Sequence, residues 1–343
     1  MFDTLFTGSR FGAAIREPLY FPTDTQTYTN AGAGSNQLPE ENATFYKTAM
    51  LDRLLPDLHY MKYGEKKRIP RRSGASAQWR RLNSLAVVTT QMTEGVTPDG
   101  VNLDITPVTA TVKEYGNWTK ISEYLDLVGI DPILTETSEL MGENAAESMD
   151  TIVRDVVNAG TNVLYANGQT AREDLVQNTD KINGSDIIKA RTIMKRNKVK
   201  PIKLPDGSMG YLMFIHPDVG ADLMRTDDWK AQNTYVSVDN RKSGDFGKMY
   251  GVYFLESVNN AIVEEAGADD ANVYLNCIIG KGAYGVPDIE GSGSPDIIVH
   301  GAGSAGTADP LNQFNTVGWK TTFTTTRLQE LAILRYECTA TQI

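Results

Sequence analysis

The sequence predicts an α+β fold in which one long helix accompanies strands from distant parts of the chain. Three observations support this. Residues 132–166 carry apolar side chains at helical spacing. Residues 184–310 alternate between helix and strand patterns, and residues 315–340 contain two strand-like runs. The 343 residues allow two domains or one domain with a large insertion.

The N-terminal residues 1–45 are predicted to form an arm. They are rich in Thr, Gly, Asn and Pro and show little periodicity, which is typical of a loop. Disordered tails usually lack aromatic residues, whereas this segment contains Phe2, Phe6, Phe11, Tyr20, Phe21 and Tyr28. We therefore expect the segment to lie on a partner.

Residues 66–122 are predicted to form a long two-stranded excursion. Val108, Ala110 and Val112 alternate on one face of the returning strand. The run Pro98-Asp99-Gly100 predicts a tight turn near the far end. Large apolar residues are expected to be too few near this end to form a core, and an isolated hairpin is marginally stable in water. The excursion is therefore expected to rest on another surface.

The clearest predicted element is the helix over residues 132–166. Asp131 is a suitable N-cap, and Pro132 suits the first helical position. If continuous, such a helix would be about 50 Å long.

Beyond residue 184 the pattern becomes mixed. "SDIIKARTIMKRN" predicts a helix, "GYLMFI" and "NVYLNCIIG" predict buried strands, and His216-Pro217 predicts the end of a strand and the start of a helix. The alternating runs "TVGWKTTFTTT" and "LAILRYEC" predict a closing antiparallel hairpin.

Charge is distributed unevenly along the chain. The net charge is -10, which disfavours general binding of nucleic acid or membrane by the chain as a whole. The basic stretch, residues 61–82, contains eight basic residues and one acid, so it is about +7 and the remainder about -17. It could be a solvated strand face, or a nucleic-acid surface with Trp79 as a stacking platform. We favour a basic arm that meets the acidic surface of a neighbouring copy.

A glycine pattern raises an enzymatic alternative. Gly280, Gly282 and Gly285 match G-x-G-x-x-G after an apolar run, as in nicotinamide-dependent oxidoreductases. Val286-Pro287-Asp288 follows, and this run cannot begin the helix that a dinucleotide site needs, so the alternative is disfavoured.

Other chemical motifs are lacking. His59, His216 and His300 have no metal-ligand spacing, and the sequence has no nucleophile elbow or phosphate loop. We expect no catalytic residue, cofactor, metal or small-molecule substrate. The two cysteines favour a reducing compartment, and no apolar run is long enough to cross a bilayer.

Several stretches carry a family resemblance: "LDRLLPDLHYMKYGEKKRIP", "TEGVTPDG", "TATVKEYGNW", "DPILTETSELMGENAAESMDTIVRDVVNAGTNVLYANG", "HPDVGADL", "IIGKGAYGV" and "DPLNQFNTVGWK". Over residues 45–336 the chain resembles coat proteins of tailed bacteriophages with the Hong Kong 97-type fold. The local sequence is similar to major capsid proteins of the N-four-like phages.

The resemblance implies a domain plan. The arm would be residues 1–45, the extended loop 66–122 and the axial domain 184–310. The peripheral domain would combine residues 46–65, 123–183 and 311–343, with the spine helix at 132–166.

The resemblance also implies a function. Many copies, as hexamers and pentamers, would form an icosahedral head shell with packaged DNA on its inner face. Scaffold, portal and cement proteins are further candidate partners. The shell would be part of the virion and be assembled in the host bacterial cytoplasm. The expected inter-subunit contacts lie in the extended loop, at Arg68, Arg71, Arg72, Arg80, Arg81, Thr97, Pro98, Asp99 and Gly100.

Overall fold

The computed structural model describes residues 59–97, 99–129, 133–205, 207–234, 247–291, 293–304 and 309–341, with side chains 232–234 excepted. The predicted arm 1–45, the N-cap Asp131, Pro132 and Pro98 lie outside the described residues. The helices are α1 (Tyr60–Tyr63), α2 (Glu123–Val128), α3 (Ile133–Asn158), α4 (Gly184–Arg196), α5 (Pro217–Arg225) and α6 (Asp227–Thr234).

The described strands are β1 (Glu65–Ile69), β2 (Ser76–Leu82), β3 (Ile105–Thr111), β4 (Lys113–Ser122), β5 (Val163–Tyr165), β6 (Ile202–Lys203), β7 (Met209–Ile215), β8 (Gly247–Met249), β9 (Val252–Glu256), β10 (Ile262–Val263), β11 (Val273–Ile279), β12 (Tyr284–Ile289), β13 (Asp296–His300), β14 (Phe314–Phe323), β15 (Thr326–Arg327) and β16 (Ile333–Cys338).

The described residues belong to two compact units. The small unit contains those within 117–142 and 297–319, and the large unit contains those within 59–116, 143–296 and 320–341.

The large unit is built on a mixed sheet in the order β5-β16-β11-β7-β9-β8, with β10 on β11 and β6 on β7. Strand β11 lies between β16 and β7 and is antiparallel to both. All seven of its residues are buried. A strand covered on both faces needs apolar residues on both, and β11 provides them at every position except Asn276, whose amide oxygen accepts a hydrogen bond from Asn260.

Helices cover this sheet because their apolar faces match it. Helix α4 buries Ile187, Ala190 and Met194, and Asn183 caps its first turn by accepting a 2.8 Å hydrogen bond from the Asp186 amide. The C-terminal half of α3 adds Met149, Val153 and Val157 to the same core.

Tyr60 anchors the chain that enters the large unit. Its side chain is fully buried, and its ring centroid lies 4.2 Å from that of Phe214. Its hydroxyl donates to Asn260 Oδ1 at 2.6 Å, and its carbonyl accepts from the Tyr284 hydroxyl at 2.6 Å. The entry point of the excursion is thus fixed in the core, because every polar atom of this buried tyrosine's side chain is satisfied.

Strand β12 pairs with three segments of the large unit. It runs parallel to β1, from Glu65↔Gly285 to Ile69↔Ile289. It is antiparallel to β15, and its Asp288 pairs with Phe323 at the end of β14.

The small unit contains most of β13 and the first half of β14, which has β4 and β13 as neighbours. Gly318 of β14 allows Trp118 of β4 to approach closely, because a Cβ on Gly318 would lie 2.8 Å from the Cβ of Trp118. Helix α2 begins where the Ser122 hydroxyl accepts a 3.1 Å hydrogen bond from the Leu125 amide.

The predicted helix 132–166 is too long at its C-terminal end. Helix α3 ends at Asn158 and is about 39 Å long. The Arg335 guanidinium donates to the carbonyl oxygens of Asn158 and Gly160, the second at 3.0 Å. Residues 163–165 then pair with β16 instead of extending the helix. Tertiary pairing therefore overrides the local helical pattern.

The predicted closing hairpin is also wrong. Strands β14 and β16 do not pair with each other: β16 lies between β11 and β5, whereas β14 has β12, β13 and β4 as neighbours. Between them, β15 pairs with β12, and a 3-10 turn at Glu330–Ala332 redirects the chain. Both runs are strands, but their partners are remote in sequence.

Candidate inter-subunit interface

The predicted excursion contains a hairpin, residues 76–111. Strands β2 and β3 pair antiparallel from Ser76↔Thr111 to Leu82↔Ile105, and form a separate two-stranded sheet. One further pair extends it, because the Asn83 amide donates to the Asp104 carbonyl at 3.0 Å. A seven-residue strand spans about 23 Å. The two strands therefore carry residues 83–104, which we call the hairpin tip, away from the point where the hairpin is attached.

The predicted turn at Pro98-Asp99-Gly100 includes Pro98, which the structure does not describe. A turn lies earlier in the hairpin tip, where the Val96 amide donates to the Thr93 carbonyl at 3.1 Å and Gly95 takes a φ of 77°. Gly100 is not in the left-handed region. Thr97, Asp99 and Gly100 are exposed, and Pro98 lies outside the described residues.

The five arginines expected at the interface are all exposed, but they form two groups. Arg80 and Arg81 lie on β2 towards the tip, where consecutive residues point to opposite faces of the ribbon. Arg68 lies on β1, and Arg71 and Arg72 follow it in the turn before the hairpin. Among the described residues, none of the five forms an ion pair with a carboxylate. These positive charges are available to a partner.

Arg71 differs from the other arginines because its guanidinium is already hydrogen-bonded within the large unit. Arg71 Nε donates to the Glu290 carbonyl at 2.9 Å. Its guanidinium also covers Gly291, where a Cβ would lie 2.3 Å from Nη2. Arg72 has a φ of 65°, which is unusual for a residue with a side chain. Substitutions at these two positions would thus disturb local structure as well as charge.

The hairpin tip is richer in apolar residues than the sequence-based interpretation held. The large apolar side chains exposed over residues 82–105 are Leu82, Leu85, Val87, Val88, Met92, Val96, Val101, Leu103 and Ile105. Val87 and Val88 are 85% and 78% exposed. The signal that could have revealed them is "LAVV", an apolar run that has no partner strand within the hairpin. A high density of exposed large apolar side chains in one segment is typical of an interaction site.

Trp79 does not serve as an open stacking platform. It is half-buried, and its ring is close to Gly285 and Lys67. A Cβ on Gly285 would lie 2.7 Å from its Cζ2 atom. Lys67 Nζ lies 5.1 Å from the ring centroid. Since stacking of a base needs a free ring face, this packing argues against the nucleic-acid interpretation of the basic stretch.

The glycine pattern lacks the geometry of a dinucleotide site. Gly280 ends β11, Gly282 takes a φ of 69°, and Gly285 lies within β12. The chain thus continues as a strand at the point where a Rossmann unit needs a helix N-terminus for the pyrophosphate.

Other reactive side chains have structural roles. A helix starts at His216-Pro217 as predicted, and His216 caps it, with its Nδ1 accepting a 3.2 Å hydrogen bond from the Asp218 amide. Burial raises the pKa of the Cys277 thiol to about 12, and this thiol donates to Asn158 Oδ1 at 2.8 Å.

Within the described ranges, no group of three or more His, Cys, Asp or Glu side chains could hold a metal ion. The helices in those ranges include none long and apolar enough to span a membrane.

Comparison with protein families gives one match to this chain. A family model described as phage capsid protein matches residues 105–333. This range includes β3, α3, the strands of the large unit's mixed sheet from β5 to β11, and all of β14. Comparison with curated protein sequences gives no match.

Solved phage capsids share the fold across nearly the whole chain. The capsid of Ralstonia phage GP4 is 12% identical with a TM-score of 0.68, over 92% of this chain and 99% of that one. The capsid of cyanophage P-SCSP1u is 15% identical with a TM-score of 0.62, over 92% and 99%. The acidic stable capsid of Helicobacter pylori bacteriophage KHP30 is 13% identical with a TM-score of 0.65, over 91% and 100%. The predicted α+β capsid fold is therefore confirmed, while the narrower N-four-like branch stays a prediction.

Proposed function

Because the chain belongs to the phage capsid protein family, we propose that it is the major capsid protein, whose copies assemble into an icosahedral head shell around double-stranded DNA. Its role is structural and not enzymatic. Hexamers and pentamers of the chain are its main partners, with scaffold, portal and cement proteins as further candidates. It belongs to the virion, after assembly in the host bacterial cytoplasm.

The observation that carries this proposal is the hairpin with its exposed apolar tip. Within the described part of the chain, the tip has no partner strand and almost no buried residue. Burial of apolar surface contributes about 25 cal/mol per Å², so covering several such side chains favours association strongly. A second copy of the chain is the partner that a shell supplies at every position.

The exposed arginines help to set the register of this contact between copies. An exposed ion pair contributes only about 0–1 kcal/mol and is screened by salt. Charge complementarity instead sets the register and the rate of association. We propose that Arg68, Arg71, Arg72, Arg80 and Arg81, with Thr97, Pro98, Asp99 and Gly100, contact the acidic surface of a neighbouring copy.

The test is the size of the particles that the full chain forms, measured by sedimentation and negative-stain electron microscopy. The wild type is expected to form closed shells. The double variant Val87→Asp with Val88→Asp is expected to remain folded and unassembled, because charges would replace the apolar contact.

Val258→Asp is the matched control, since Val258 is also exposed, at 61%, but lies outside the hairpin. It is expected to assemble like the wild type. Normal shells from the double variant would contradict the role of the tip, and a wild-type chain that remains a monomer throughout would contradict the proposed function.

A further inference from the structure

The base of the hairpin has a small core of its own. Ile69, Ala77 and Val112 are buried there, with Trp79 and Ile289 packed against them. These five residues, the hairpin root, form a cluster separate from the main core of the large unit. Because so few side chains join the hairpin to the large unit, each has a large share in setting its direction.

Trp79 also packs against the backbone of β12, at Gly285. A Cβ built on Gly285 would lie 2.7 Å from Cζ2 and 3.0 Å from Cη2 of the indole. Gly285 has no left-handed φ, so its conformation does not require glycine. The glycine instead gives the indole room to lie directly on the backbone of β12, and any side chain at this position would displace the ring.

Lys67 of β1 also contacts the Trp79 ring. Its ammonium lies 5.1 Å from the centroid of the Trp79 ring and donates to the Gln78 carbonyl. In the parallel pairing of β1 with β12, Lys67 is opposite Pro287, two residues beyond Gly285. A cation over the face of an indole is attracted by the negative charge of the ring face. Lys67 therefore ties β2 to β1 as Trp79 ties it to β12.

The covalent connection alone would not fix the direction of the hairpin. Residues 70–75 between β1 and β2 are all exposed, and Gly74 has a φ of 87°. The backbone hydrogen bonds of this connection include those from Ser73 to the Pro70 carbonyl and from Val112 to the Ala75 carbonyl. A rotation of about 20° at the root would move the end of the strands by about 8 Å.

We propose that Trp79 is a positioning residue for shell assembly: by packing on Gly285 it fixes the angle at which the hairpin leaves the large unit. This inference rests on the proposed function. A hairpin held in its bound direction loses less conformational freedom when it meets a neighbouring copy, so the association is stronger.

The direction of the hairpin can be measured in the unassembled subunit by pulsed electron spin resonance. Spin labels are attached to cysteines introduced at Thr90, in the tip, and at Lys195, an exposed residue of the large unit. The native Cys277 and Cys338 are fully buried, so they remain unlabelled. The otherwise unchanged chain is expected to give one narrow distance distribution.

Two variants disturb the contact from opposite sides. Trp79→Ala removes the indole, and Gly285→Ala keeps it but adds the methyl group that displaces it. Both are expected to broaden or shift the distance distribution and to raise the concentration needed for assembly by about tenfold. Gln78→Ala is the matched control, because only the backbone carbonyl of Gln78 takes part. The Gly285→Ala variant keeps the test valid if Trp79→Ala does not fold.

The inference is overturned if both contact variants keep the narrow distribution of the unsubstituted chain, or if they broaden it and still assemble at the wild-type concentration. A wild type that forms no particles would count against the proposed function instead. In that case the distance distributions would still report whether Trp79 directs the hairpin.

Discussion

Arg172 holds the carboxylate of Glu337 with two hydrogen bonds, from Nε to Oε2 at 2.7 Å and from Nη2 to Oε1 at 2.8 Å. Glu337 lies on β16, and its side chain is fully buried. Arg335 Nε reaches Oε1 at 2.7 Å. The buried charge is therefore satisfied by two guanidinium groups, and Arg335 also binds the carbonyl groups that end helix α3.

The first prediction concerns this ion pair. Arg172→Met would leave Glu337 Oε2 buried without its partner, and a loss of about 2–4 kcal/mol in the free energy of unfolding is expected. Urea denaturation measures it.

The control for Arg172→Met is Lys320→Met, which breaks an exposed 3.0 Å pair with Glu114. It should cost no more than about 1 kcal/mol. Equal losses in the two variants would contradict the structural role of the Arg172 contact.

The second prediction concerns pH. Burial lowers the pKa of His216 below the ordinary histidine value of 6.5, despite the nearby Asp218 carboxylate. The unfolded chain then binds more protons than the folded one in the window below about pH 6.5, so this contribution to stability is lost as pH falls through the folded pKa. Protonation would also remove the Nδ1 acceptor that caps α5.

His216→Asn keeps a capping acceptor but does not titrate. The variant should lose less stability than the wild type between about pH 7.5 and about pH 5 in urea titrations. Parallel losses in the two proteins would show that His216 does not contribute to the pH dependence.

The third prediction concerns the distal arginines. Arg80→Glu with Arg81→Glu should leave the urea midpoint nearly unchanged, because both side chains are exposed, but should block shell formation. Wild-type assembly should also slow as salt rises. Light scattering follows both effects.

Lys200→Glu with Lys203→Glu makes the same change in charge at two other exposed positions of the large unit, and should assemble normally. If the arginines bind packaged DNA instead, the Arg80/Arg81 variant would form intact but empty particles.

The fourth prediction concerns the arm at residues 1–45. A chain that lacks these residues should keep the circular dichroism spectrum and urea midpoint of the large unit, because the described residues already supply an extensive core. It should not form closed particles. Electron micrographs that show normal shells from this truncated chain would exclude the predicted role of the arm.

Elements with local signals were predictable from the sequence. Helix α5 begins with Pro217 after a capping residue, and β11 is a mainly apolar run followed by Gly280. These features act within a few residues of each other, so a single sequence contains the whole signal.

The features that the sequence did not predict depend on remote partners. Helix α3 ends at Asn158 because Arg335, close to the other end of the chain, binds its last carbonyl groups. Strand β16 pairs with β11 and β5 rather than with its predicted neighbour. In the candidate interface, the arginines could be found by composition, but the contact between Trp79 and Gly285 could not, because only the fold brings β2 beside β12.

The central claim is that the hairpin tip binds a neighbouring copy of the chain. Cryo-electron microscopy of assembled particles tests it most directly. The account predicts that residues 83–104 lie against the surface of another subunit, with Val87 and Val88 buried by it. A reconstruction in which these two valines remain exposed to solvent in every subunit of the shell would contradict the account.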